Sequence, residues 1–96
     1  MRCIAIVFAI LQALIALGCA SNSSASLAKQ CEDGLSVAYR ELDFARTKGL
    51  AGTVEYTKAA GLLSAAKIQF EFGKYPNCID KVKRARAFIG KSQVGE

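Results

Sequence analysis

Four cysteines and no histidine bound the chemistry open to this 96-residue chain. The thiols of Cys3, Cys19, Cys31 and Cys78 can be acylated, joined in disulfides or offered to a metal. Without His the chain lacks the commonest general base, proton shuttle and zinc ligand. Serines are abundant, but no His stands ready to activate one as a nucleophile. The acidic residues lack the spacing of a calcium loop. These residues predict neither an enzyme nor a metal site, and no cofactor is expected.

Cys19 is the first thiol with a distinctive context. Arg2 begins a short positive segment, and Cys3 to Leu17 is apolar except for Gln12. Those fifteen residues are too few for a membrane-spanning helix, which needs about 20. They suit the apolar region of a secretory signal, which is followed by small residues. Ala16-Leu17-Gly18-Cys19 resembles the lipobox of bacterial lipoproteins, with Ala16 where Leu is usual. The resemblance implies cleavage of a signal peptide, residues 1–18, and lipidation of Cys19 on its thiol and its new amine. Residues 19–25 then form a Ser-rich flexible tether. Several acyl chains anchor a protein stably where one is marginal. Ala20 rather than Asp follows Cys19, which by resemblance to enterobacterial sorting implies the periplasmic face of the outer membrane. The alternative is ordinary cleavage after Gly18 or Ala20, which leaves a soluble periplasmic or secreted protein. Asn22-Ser23-Ser24 also fits the N-glycosylation pattern, and in a bacterial export context it reads as tether alone.

The remaining thiols need a fold to bring them together. Ala28, Cys31, Leu35, Ala38, Leu42 and Ala45 recur at spacings of three and four, an amphipathic helix stripe. Ser24 and Ser26 are candidate caps at its start. Gly49 and Gly52 end it. Thr53 is the expected N-cap of a second helix, with Glu55 in its first turn. Tyr56, Ala59, Leu63, Ala66 and Phe70 make one apolar stripe there; Leu62, Ala65 and Phe72 make an adjoining one. So broad an apolar surface predicts the middle member of a bundle. Gly73 closes this helix and Pro76 opens a third. Cys78, Val82, Ala85 and Ile89 form the third inner stripe, with Gly90 as its stop. The expected fold is all-α, a three-helix antiparallel up-down-up bundle over residues 26–91. Its helices run over about 26–48, 53–72 and 76–89, and residues 92–96 form a disordered tail.

This topology predicts a disulfide. Cys31 lies 18 residues before Gly49, roughly 27 Å along the first helix at 1.5 Å per residue. The second helix returns by about that length, so Cys78 starts the third helix at the level of Cys31. Packed axes 8–10 Å apart leave room for the bridge. An exported protein is also where a disulfide persists. Two buried free thiols are the alternative. With no His, two thiols are too few for zinc.

Two resemblances extend the reading. Ala60 to Ala85 resembles one tetratricopeptide-type helix pair, with Ala66, Gly73-Lys74-Tyr75, Cys78, Val82 and Ala85 at the repeat's positions. Such solenoids need at least about three repeats, so the first helix must supply the missing neighbour. Glu41 to Ile89 covers more of the chain. Its segments ELDFAR, EYTKAAGLLSAA and GKYPNCIDKVKRA are similar to a family of small Gram-negative envelope lipoproteins with a helical domain of no assigned activity. Cys78 stands where that family usually has Ala. The resemblance implies a short helical envelope lipoprotein.

Three surfaces are candidates for contact with a partner. Val37 and Phe44 lie seven residues apart, away from the inner stripe, and an exposed pair of this kind docks partners. The alternative has Phe44 folding over the glycine turn, with Val37 incidental. Lys81, Lys83, Arg84, Arg86 and Lys91 give the third helix a basic outer face beside Phe88. Such a face suits anionic lipid, glycan or an acidic partner, or is merely solvated. Nucleic acid is not expected in this compartment. Tyr39, Tyr56 and Tyr75 are expected at the core edge rather than in a pocket. The function expected is therefore non-catalytic: a membrane-anchored structural or protein-interaction module whose partner is an envelope protein. Binding of anionic lipid or glycan through the third helix is the alternative.

Overall fold

A computed structural model describes the backbone of residues 2–94 and the side chains of residues 24–94. It contains three helices: α1 (Arg2–Thr47), α2 (Val54–Glu71) and α3 (Tyr75–Gln93). They pack as an all-α three-helix bundle in up-down-up order. The parallel course of α1 and α3 shows in two links. Cys31 is bonded to Cys78, and further along both helices Glu41 meets Arg86.

Both inter-helix turns are built on a glycine in the left-handed region. Gly49 has φ 81° and Gly73 has φ 73°. At the first, Leu50 N–H donates to Ala45 C=O (3.1 Å) and Gly49 N–H to Arg46 C=O (3.0 Å). At the second, Lys74 N–H donates to Gln69 C=O (2.8 Å) and Gly73 N–H to Phe70 C=O (3.0 Å). This paired pattern is the Schellman motif, which satisfies carbonyls that a helix end would otherwise orphan. Thr53 caps α2 as expected, its hydroxyl accepting from the Tyr56 N–H at 3.1 Å. Tyr75 follows the second turn and packs its ring 5.8 Å from that of Phe70.

The inner stripes meet as their spacing implies. The core joins Cys31, Leu35, Ala38, Leu42 and Ala45 of α1 to Ala59, Leu63 and Ala66 of α2, and to Cys78, Val82, Ala85 and Ile89 of α3. Five of these twelve residues are alanine. Small residues let the axes approach but bury little area each, so the larger Leu63 and Ile89 carry much of the hydrophobic stabilisation. Gly34 extends the same logic. A Cβ there would sit 3.1 Å from Val82 Cγ1, so glycine allows α1 and α3 to close beside the disulfide.

The helices differ from the expected ones in four respects. α1 does not begin at residue 26: Ser24, Ala25 and Ser26 are helical, and Ser26 Oγ accepts from Gln30 Nε2 at 3.4 Å instead of capping. No Pro or Gly stands between Gly18 and Gly34, and Ser costs a helix only about 0.5 kcal/mol. α3 runs past Gly90 to Gln93, so residues 92 and 93 of the expected tail are helical. Ser92 is buried there, with its hydroxyl donating to Ile89 C=O at 2.6 Å. Phe72 is not on a covered stripe; it is 76% exposed. Finally, α3 rather than α2 is the central helix, packing more extensively against each of the other two than they do against each other.

Candidate functional site

Two grooves mark the surface of the bundle. The first, of about 490 Å³, runs between α2 and α3 and is lined by Thr57, Lys58, Gly61, Leu62, Arg84 and Phe88. Leu62 and Phe88 supply an apolar floor. Gly61, with no atom within 4 Å of where its Cβ would stand, leaves that floor open. The rim is cationic. Lys58 Nζ and Lys91 Nζ each lie 5.4 Å from the centre of the Phe88 ring, a range at which a cation is attracted by the ring's negative face. Arg84 has Asp80 at 3.9 Å, an exposed pair one helical turn apart. No carboxylate lines this groove.

The second groove, of about 320 Å³, is lined by Val37, Arg40, Glu41, Phe44 and Gln93. Its rim carries both signs of charge. Glu41 accepts from Arg86 Nε at 2.6 Å, which ties α1 to α3. Phe44 is half exposed, with Lys48 Nζ 4.8 Å over its ring. Nearby on α1, Asp43 accepts from Arg46 and holds that guanidinium's pKa above its ordinary value.

The expected site residues fall out as follows. Cys31 and Cys78 are disulfide-bonded, with Cα atoms 5.7 Å apart, and both are fully buried. Cys19 and the signal segment lie outside the residues whose side chains are described. Val37 and Phe44 come together in the second groove, although Val37 is half-buried rather than exposed. The cations of α3 are distributed as follows: Arg86 is paired with Glu41 of α1, Arg84 and Phe88 line the groove against α2 with Lys91 over the Phe88 ring, Lys83 is exposed, and Lys81 is half-buried. Tyr39, Tyr56 and Tyr75 line neither groove.

Lys58, Gly61 and Leu62 are groove residues that the composition of α3 alone does not reveal. Their signal lies in α2, where a glycine sits in mid-helix with no internal packing reason. Among the described residues no three of Cys, Asp and Glu gather where they could hold a metal ion, and no helix is long and apolar enough to cross a membrane. Both grooves have the make-up of docking surfaces, apolar below and charged at the edge. Comparison with known proteins found no matching family model, no matching curated protein and no matching solved structure.

Proposed function

We propose that this protein is a lipid-anchored, non-catalytic interaction module of the bacterial envelope, tethered through Cys19 to the periplasmic face of the outer membrane. The observation that carries the reading is the buried Cys31–Cys78 bridge. It joins α1 to α3 at the end of the bundle nearest Cys19. Cys31 follows Cys19 by twelve positions of α1, about 18 Å along the helix. A bridge at that level closes the domain where an anchored chain enters it, and a disulfide of this kind persists in an oxidising compartment.

The position of the grooves supports a protein partner. Phe88 lies ten residues beyond Cys78, about 15 Å further along α3 and away from the anchored end. The charges support it too, since a basic helix bound to anionic lipid would present its cations on one side. Here they diverge, and Arg86 is already paired.

Two measurements test the reading. Labelled fatty acid is expected to enter the wild type and not Cys19→Ser; equal labelling of both refutes anchoring at that residue. In envelope crosslinking, Phe44→Asp is expected to change the pattern of adducts. A pattern that survives this change and a reversal of the α3 charges removes both surfaces as docking sites.

A further inference from the structure

Besides its buried stripe α2 carries an outward one, which differs from the expected Leu62, Ala65 and Phe72: Leu62 packs against the core, and Ile68 joins the outward side. Ala59, Leu63 and Ala66 are buried against α1 and α3. Gly61, Ala65 and Ile68, with the C-cap residue Phe72 just past the helix, follow at spacings of four, three and four on the side away from that core. At 100° per residue these four fall within an arc of about 60°. Ile68 is 51% exposed and Phe72 is 76% exposed. One end of the stripe is small, Gly61 and Ala65; the other is large, Ile68 and Phe72.

That gradient is self-complementary. When two α2 helices cross antiparallel about a two-fold axis, the register that sets Gly61 opposite Phe72 also sets Ala65 opposite Ile68. Each large side chain meets a small one, twice over, as an isologous interface requires. The first groove is continuous with the small end of the stripe, because Gly61 lines it. It offers Leu62 below and the cations of Lys58 and Arg84 at the rim, surroundings that suit an incoming aromatic ring. We infer that the outer stripe of α2 is a homodimer interface. A second copy of this chain docks antiparallel, and each Phe72 seats over Gly61 of its partner at the mouth of the α2–α3 groove. A parallel pair would set Phe72 on Phe72 and leave the glycines facing a void.

The inference does not rest on acylation of Cys19: antiparallel docking carries the two Cys19 ends to opposite ends of the pair, so the dimer is one of copies that do not stand side by side on one membrane. A two-helix contact about three turns long is smaller than the roughly 1,200–2,000 Å² of a standard interface. Association is accordingly weak in dilute solution and favoured when copies are concentrated.

Thiol crosslinking of the full chain in detergent reads the register directly. Gly61→Cys and Phe72→Cys variants are mixed and treated with a bis-thiol reagent spanning the 8–10 Å between packed axes. The mixture is expected to give a crosslinked dimer and each variant alone is not, because like positions lie about 16 Å apart along the axis. Ile68→Asp added to both is expected to abolish the product. Ile68 is half exposed, and an unchanged circular dichroism spectrum establishes that the bundle still folds. Three results overturn the proposal: crosslinking of Gly61→Cys to itself, a product indifferent to Ile68→Asp, or no product together with a monomeric mass up to about 1 mM. Running the series with and without Cys19→Ser separates its outcome from that of lipid anchoring.

Discussion

Removal of the Cys31–Cys78 bridge is expected to cost this domain a large part of its stability. The two residues are 47 apart in sequence. In the chain-entropy model a loop of that size lowers the entropy of the unfolded chain by about 14 cal/mol/K, or about 4 kcal/mol at 25 °C. Small domains have only about 0.05–0.15 kcal/mol per residue in total, and the five alanines in this core bury little area each. In a domain of this size each kcal/mol shifts the melting temperature by roughly 4–8 °C, so the expected fall is about 15–30 °C. The measurement is thermal unfolding followed by far-ultraviolet circular dichroism, comparing the oxidised protein, the reduced protein and Cys31→Ala/Cys78→Ala. Alanine avoids burying two hydroxyls at fully buried positions. Reduced protein and double variant should melt together, far below the oxidised form. A difference of less than about 5 °C would refute the argument that the staple compensates for a thin core.

Other perturbations test the local physics. Thr53→Ala removes the hydroxyl that accepts from the Tyr56 N–H and should cost about 1 kcal/mol in denaturant unfolding. Two glycines should respond in opposite directions. Gly61→Ala has open space around it and should raise stability by up to about 1 kcal/mol through helix propensity, while weakening the contact between copies. Gly34→Leu forces bulk against Val82 and should lower stability by about 1–3 kcal/mol; equal effects at the two positions would contradict the packing described. A double-mutant cycle on Glu41 and Arg86, both partly exposed, should give a coupling of no more than about 1 kcal/mol that fades as salt rises.

Much of the architecture is legible in local sequence. The inner stripes of all three helices, the Thr53 cap and the glycines at 49 and 73 follow from rules that act within a few residues. The cysteine pairing needs only helix lengths added to those rules. The ends of α1 and α3 are less legible. Ser24, Ser26 and Gly90 weaken a helix without breaking it, and whether it continues depends on what lies alongside. For α3 that is a buried Ser92 whose hydroxyl finds its own partner at Ile89.

Residue spacing by itself determined that α2 has two apolar stripes and that α3 is rich in cations. It did not determine which stripe the bundle covers, because that depends on how each helix is rotated about its own axis when three of them close together. Only the tertiary structure places α3 at the centre, leaves Ile68 and Phe72 bare, and pairs Arg86 with Glu41 of α1. Periodicity is a property of one helix, whereas burial belongs to the set.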